Sequence, residues 1–254
     1  MWTNEEIEKL YEAIPHRKSV RKYEERPLTD DTINQVQEAL DKVKIFFPEA
    51  PVAAQILDNG AVKGKFTTKC ASYIAVYANR EPKAYANAGS ILEQMHLWLS
   101  SQNIGSWIHG LAAPVKPYDT KGRLPFAFIL TFGNAAEPVH RNGPDEFNRN
   151  DAASFTDNPE LEIYAQTMLL APSGRNRQPW LIKGDPEAIH IFTIKDHMLF
   201  AKIMPDLWVM EGGIAATHLW LEADRQGKAF NIVYDETVKP ASSKEVYGCT
   251  ISLK

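Results

Sequence analysis

Apolar and polar positions along this chain change period several times, and each change suggests an element boundary. Ile7, Leu10 and Ile14 recur at helical spacing, Thr3 and Glu6 have capping-box spacing in front of them, and Pro15 closes the segment. Arg17 to Arg26 is basic and aperiodic. A second helix is expected after Thr29, with Ile33, Val36, Leu40 and Val43 on one face. Phe46 to Lys69 has no clear period and holds Pro48, Pro51, Gly60 and Gly64 as breakers. Ser72 to Ala78 reads as a strand. A long apolar helix is expected from about Gly89 to Asn103, with Gly105 as its stop. Phe126 to Phe132 is a continuous apolar run of the buried-strand kind. Glu137 to Pro159, rich in Asn, Asp, Gly and Pro, reads as a linker.

The rhythm then repeats. Leu161, Tyr164, Met168 and Leu169 mark a helix, and Trp180 to Lys183 and Ile189 to Ile194 read as strands. Asp206 to Gln226 is a long helix closed by Gly227, followed by strands at Phe230 to Tyr234 and Tyr247 to Leu253. The letters repeat as well. His96-Leu97-Trp98-Leu99 recurs as His218-Leu219-Trp220-Leu221, and the same offset lays Gly105 on Gly227 and Ile129 on Ile251. One four-letter match could be chance. A match that carries the glycine and the next strand with it suggests duplicated halves.

Composition narrows the function classes. The 254 residues carry a net charge of -4, which argues against a nucleic-acid partner, since that needs a concentrated positive surface. No run reaches ~18 apolar residues, so no membrane span is expected. Cys70 and Cys249 are the two cysteines, too few and too isolated for a disulfide framework or a Cys-rich metal site. The N-terminus lacks the basic and apolar regions of a secretion signal. A reduced, cytoplasmic protein is expected, with no metal.

Two segments could carry chemistry. In Arg17-Lys18-Ser19-Val20-Arg21, two guanidinium groups flank a hydroxyl, and in extended backbone all three point to one side. Such a set suits bidentate phosphate recognition, although a solvated basic turn would look the same. In Ala171-Pro172-Ser173-Gly174-Arg175-Asn176-Arg177-Gln178-Pro179-Trp180, the residue types build a tight polar turn with exposed amides that could approach a flat ring.

Taken together, Arg-x-Ser-x-Arg and Pro-Ser-Gly-x-Asn-x-Gln-Pro-Trp resemble the nitroreductase family of FMN-dependent oxidoreductases. Ala88-Gly89, Gly105-Ser106-Trp107-Ile108-His109-Gly110, Leu124-Pro125 and Glu137-Pro138 extend the resemblance over most of the chain. It is not collinear. In the family each subunit carries both motifs and two subunits build the flavin sites. Here the first half has the phosphate motif and the second has the loop motif. The resemblance therefore implies an α+β fold of two pseudo-symmetric halves, residues 1–145 and 146–254. Each half would hold a mainly antiparallel sheet packed by helices, with one composite FMN site retained.

By this resemblance Arg17, Ser19 and Arg21 hold the FMN phosphate, with Arg141 adding charge. Ile108, His109 and Gly110 lie at the reactive edge, and Pro172, Ser173, Gly174 and Asn176 contact the ring. Gln178 and Trp180 are expected to anchor the loop. The implied reaction is ping-pong hydride transfer from NAD(P)H to a small acceptor such as a nitroaromatic or a quinone, with no catalytic side chain. A fused pair would need no partner subunit, so a monomer is expected. Dehalogenation, enoate reduction, flavin destruction, a non-catalytic flavin sensor and a flavin-free homologue stay open as rivals. Gly60 to Phe66 is one residue short of a phosphate-binding P-loop and has Phe where a magnesium-binding hydroxyl is needed. His190 with His197 lacks helical metal spacing. His96, His218, Trp98 and Trp220 read as core residues.

Overall fold

The computed structural model describes residues 1–67, 70–195 and 207–253. Contacts divide the chain into two compact units. One comprises Met1–Lys44, Pro51–Asn79 and Ile91–Glu146, and the other Ile45–Ala50, Arg80–Ser90 and Phe147–Lys254. Where the sequence suggested one cut between 145 and 146, the division near Glu146 is joined by two earlier excursions.

In the first unit, helix α1 (Asn4–Ala13) starts as its letters imply. The Thr3 hydroxyl accepts from the Glu6 amide, and the Glu6 carboxylate accepts from the Thr3 amide. Helix α2 (Asp30–Leu40) is capped by Thr29 and ends before Val43, which falls outside the helical face expected for it. A four-stranded antiparallel sheet follows, built from β1 (Val52–Leu57), β3 (Ser72–Ala78), β6 (Phe126–Gly133) and β4 (Gly105–Ile108), in the order β1-β3-β6-β4. Two short strands, β2 (Val62–Gly64) and β5 (Ala112–Pro114), form a separate ribbon. Tyr73, Ala75 and Tyr77 alternate along β3 and pack with Val62, Ala112, Leu124 and Ile129 on one face. Ile74 and Val76 are buried on the other, which is why this strand reads as an unbroken apolar run.

Helix α3 (Pro82–Ser101) begins seven residues before the expected start at Gly89. Pro82 supplies a preorganised first position, and the small residues that follow tolerate the helix. Its C-terminus also differs from expectation. Asn103, at φ 58°, is the left-handed residue that ends it, and the Ile104 amide donates to the Leu99 carbonyl. Gly105 is instead the first residue of β4. A side chain there would lie 2.7 Å from Val20 Cγ1. The glycine admits the neighbouring segment rather than stopping the helix.

In the second unit, helix α4 (Glu162–Leu169) precedes β7 (Trp180–Asp185) and β8 (Ala188–Ile194). Helix α5 (Leu207–Arg225), β9 (Phe230–Val233) and β10 (Glu245–Leu253) complete it. The four strands form an antiparallel sheet in the order β7-β8-β10-β9. Both sheets therefore place their successive strands first, second, fourth, third, with a long helix between the second and third. Gly227, at φ +67°, does end α5 as the sequence implied. Asp206, expected in that helix, and His197 lie outside the described residues.

Within this unit, Pro82–Ser90 and α5 meet through glycines. A Cβ on Gly89 would stand 2.0 Å from the Met210 carbonyl oxygen, and one on Gly213 would stand 2.1 Å from the Ala86 carbonyl oxygen. Thr217 Oγ1 donates to Ser90 Oγ across the same contact at 3.1 Å. Backbone touches backbone here, and no flexible side chain can give way. Gly213→Ala should therefore destabilise the chain by about 1–3 kcal/mol, the range for overpacked cores. Urea unfolding checks this, with Gly143→Ala, which meets nothing within 4 Å, as the reference. Equal midpoints for the two variants would rule out the close crossing.

Candidate functional site

The first unit gathers the cationic residues singled out in the sequence. Arg17 to Tyr23 is not a free turn. Arg17 bridges His140, Ser19 bridges Ser106 and Tyr23 bridges Ala135, so the segment runs along the β4 edge of the sheet. The Val20 amide donates to the Ser106 carbonyl at 2.9 Å. Glu137 fixes the next turn, its carboxylate accepting from the amides of Arg21 (2.7 Å) and Lys22 (3.3 Å). Those bonds hold its pKa below the usual carboxylate range, the Arg21 amide being the largest cause.

Extended backbone was expected to point Arg17, Ser19 and Arg21 to one side, but the three differ in depth. Arg17 is 1% exposed, whereas Arg21 lies at the surface. Burial pushes the Arg17 guanidinium down to about 10. Glu93 opposes this from α3, with its carboxylate 3.8 Å from Arg17 Nε. His96, one turn on, lies 3.5 Å from the same carboxylate and 3.4 Å from Arg17 Nη1. Neither residue was a sequence candidate. Their i, i+3 spacing of acid and imidazole on an otherwise apolar helix was the available signal.

Arg141 joins the group, as proposed from the sequence. Its guanidinium donates to the Arg17 carbonyl, and its amide donates to the His16 carbonyl at 2.8 Å. Arg21 and Arg141 each disfavour the charge on Arg17, so the three guanidinium groups share one field. Arg17 Nη1 is 3.5 Å from Ser19 Oγ. Arg21 reaches back to the Ser19 carbonyl at 3.3 Å and lies 5.1 Å over the Trp107 ring.

Trp107 and His109 alternate with Ile108 along the edge strand and so share a face. Their rings stack 4.1 Å apart. His109 is fixed at both nitrogens, Nε2 lying 2.8 Å from the Lys65 carbonyl and Nδ1 3.0 Å from the Thr131 hydroxyl. The carbonyl can only accept, so Nε2 carries the proton. Burial moves its pKa down, which keeps the ring neutral and unsuited to proton delivery. Ile108 is half-buried and Gly110 exposed beside it. Among the described residues, the buried indole Nε1 of Trp107 has no hydrogen-bond partner.

The second unit contains the other motif. Gly174–Asn176 is one turn of 3-10 helix between α4 and β7. Arg175 (58°), Asn176 (58°) and Gln178 (52°) all have left-handed φ, a conformation costing about 1–2 kcal/mol for each side chain with a Cβ. Several bonds hold it. Ser173 Oγ accepts from the Gln178 amide at 2.9 Å, and Gln178 Oε1 accepts from the Asn150 amide at 2.8 Å. Arg149 donates to Asn176 Oδ1 and to the α4 terminal carbonyls of Leu169, Leu170 and Ala171. Asn176 Nδ2 donates to the Asn148 carbonyl at 2.8 Å. The Asn176 side chain, expected to face a ring, is thus engaged within its own unit, while Pro172, Ser173 and Gly174 are half-buried. Gln178 and Trp180 do anchor the loop, the Trp180 indole donating to the Glu211 carbonyl at 3.0 Å.

Glu211 was not foreseen. Its carboxylate, wholly buried on α5, accepts from the Gly174 amide at 2.6 Å and lies 3.5 Å from Arg177 Nη2. Burial outweighs both partners and raises it to about 7. Among the described residues no cluster could hold a metal ion, and both cysteines are free thiols.

The Glu211 shift predicts a pH effect on stability. Its value in the folded chain lies above the ordinary 4.5, so over that interval the folded state keeps a proton that the unfolded chain releases. The group's contribution is fully present below pH 4.5 and is lost as pH rises to about 7. The loss is on the order of 3 kcal/mol. Glu211→Gln should remove this component, so its urea midpoint should gain on the native chain's between pH 4.5 and 8. Parallel midpoints across that range would show that the carboxyl stays ionised throughout.

The sequence matches the family model described as "Putative TM nitroreductase" over residues 9–223. Among solved structures, a putative nitroreductase from Thermotoga maritima aligns with a TM-score of 0.62 and 21% identity. That alignment covers 96% of this chain and 92% of the other. A putative nitroreductase in complex with FMN from Desulfovibrio desulfuricans has a TM-score of 0.40 at 18% identity, over 50% of this chain and 87% of its own. A nitroreductase family protein from Clostridium difficile has a TM-score of 0.43 at 15% identity, over 59% and 94% respectively. No curated protein matches the sequence. A nitroreductase-like α+β fold with antiparallel sheets, matched to one family model from near its start to the end of its last long helix, places the chain in that nitroreductase family.

Proposed function

We propose that this chain is an FMN-dependent oxidoreductase that takes electrons from NAD(P)H and passes them to a small organic acceptor, a nitroaromatic or a quinone. The observation that carries the reading is the convergence of Arg17, Arg21 and Arg141 around Ser19 in a chain of net charge -4. Such a cationic excess suits a phosphate dianion. Among the described residues, the buried indole N–H of Trp107 beside it has no hydrogen-bond partner, an unmet donor that a bound molecule would satisfy, so the residues present fit FMN.

When bound, the flavin would supply the hydride chemistry. Arg21 and Arg141 would hold the phosphate, and Arg17 would add charge. Ser19 contributes a hydroxyl. The neutral His109 ring keeps Trp107 in place and moves no proton. By the family resemblance, Ile108 to Gly110 and Pro172 to Asn176 would lie against the ring. No side chain acts as acid or base. The same reading makes the chain an internally duplicated nitroreductase with one retained flavin site. The common strand order of its two sheets and the recurrence of His-Leu-Trp-Leu support this.

Titration with FMN and with riboflavin tests the site, because riboflavin lacks the phosphate. Arg21→Ala should weaken FMN about 10- to 100-fold, the worth of a charge-assisted bond, and leave riboflavin unchanged. Asn176→Ala should weaken both alike. A variant series in which only one segment affects FMN would disprove a site shared by the two motifs. Anaerobic bleaching by NADH or NADPH, followed by reoxidation with a nitroaromatic or a quinone, tests turnover. Flavin that binds but is not bleached would make the chain a flavin sensor.

A further inference from the structure

The Gly174 peptide is held from both sides. Its N–H donates to the Glu211 carboxylate at 2.6 Å, and its carbonyl accepts from Arg177 Nε at 2.9 Å. Arg177 closes the circuit, with Nη2 3.5 Å from the other oxygen of Glu211 and its guanidinium 4.3 Å over the Trp208 ring. Glu211 is itself fixed on α5 by the bond from the Trp180 indole to its carbonyl. The clamped peptide lies immediately before the left-handed residues Arg175 and Asn176. A turn with so little intrinsic preference for its conformation keeps it only while its anchors hold.

We propose that Glu211 is a positioning residue: its buried carboxylate clamps the Gly174 peptide and so sets the shape of the Pro172–Asn176 loop, and protonation of this carboxyl loosens the clamp. Its role in presenting that loop to a flavin rests on the function proposed above, whereas the clamp itself does not. The charged groups facing the carboxylate are Arg177 and the dipole of the Gly174 amide, both of which favour its ionised form. Burial opposes them. The balance puts ionisation near neutral pH, at about 7. An ionised acceptor makes a bond roughly twice as strong as a neutral one. Releasing the loop from the buried carboxyl removes only Gly174 and Arg177, which favour the charge, so the loop is firmer above this pH than below it even as the buried charge lowers the stability of the whole chain.

Hydrogen exchange of the apo-chain, read on peptides spanning residues 171–178 and corrected for intrinsic rates, tests the clamp without any flavin. In the native chain, protection of this segment should rise about five- to tenfold from pH 5.5 to pH 8. Glu211→Gln keeps an oxygen that can accept from Gly174 but cannot ionise. Its protection should be the same at both pH values and at the lower, native pH 5.5 level. Glu211→Ala should lose the protection, with strand β8 unchanged as the control for folding. If that variant fails to fold, the glutamine variant alone decides. Identical pH profiles for the native chain and Glu211→Gln would overturn the proposal. FMN titration of the same variants separates the two readings. Exchange that follows Glu211 while FMN affinity does not would keep the clamp and remove the loop from the flavin site.

Discussion

A guanidinium withdrawn from water governs the first unit. Arg17 has almost no exposed surface, and an isolated buried charge would be intolerable. Glu93 and His96 on α3 make it tolerable, and Arg141 holds the carbonyl of the same residue. Removing one member of such a buried pair commonly costs about 3–5 kcal/mol, because the other is left uncompensated. The segment from Arg17 onward is therefore committed to one path. The bond from the Val20 amide to Ser106 and the Glu137 grip on Arg21 and Lys22 continue that commitment to the surface. Ser19 and Arg21 are held where they are because Arg17 is.

Charge placement follows from the same constraint. The chain holds 28 Lys and Arg against 32 Asp and Glu, so a cationic site cannot arise from bulk composition. It arises locally, because the carboxylates near the cluster are spent on structure. Glu93 faces Arg17 from below, and Glu137 accepts from backbone amides rather than from a guanidinium. At the far end of the same strand edge, His109 is locked as a neutral ring by Lys65 and Thr131, so the aromatic pair it makes with Trp107 adds a surface without adding a titrating group. A binding site for an anion with a flat attached ring needs both qualities, charge at one end and inert aromatic surface beside it.

The sequence made some of this readable and hid the rest for identifiable reasons. Elements whose hydrophobic period is strong, such as α1 with its capping box and the apolar β3, were legible nearly to the residue. Strand β1 was not, since Val-Ala-Ala-Gln-Ile-Leu is half-buried throughout and shows neither alternation nor a continuous apolar run. Gly89 misled because a glycine inside a helix reads as a boundary, while its actual cause is the Met210 carbonyl pressed against it. Gly105 misled in the same way, and Asn103 took the left-handed position instead. Of the clustered residues, the arginines and Ser19 stood out in the sequence because basic and hydroxyl types at such short spacing are conspicuous in a chain of net charge -4. Glu93, His96 and Glu211 were not, because each is a polar residue on an apolar helix whose partner lies far along the chain. The i, i+3 spacing of Glu93 and His96 marks a pair on the helix, but nothing local reports Arg17 as its partner.

The loop motif shows how far a recognisable string of residues can be from a set of ligands. Glycine at positions 175, 176 and 178 would relieve the left-handed strain, but it would also widen the unfolded ensemble and remove the side chains that tie the turn down. The chain uses Asn176 instead, a residue that tolerates this conformation and whose amide links Arg149 to the Asn148 carbonyl. Gln178 does the same with Asn150. What the motif fixes, then, is backbone shape. The Ser173, Asn176 and Gln178 side chains that make it recognisable are bonded to neighbouring backbone and side-chain groups and hold the turn. This is why the motif can identify a family: it records the shape of the turn it builds.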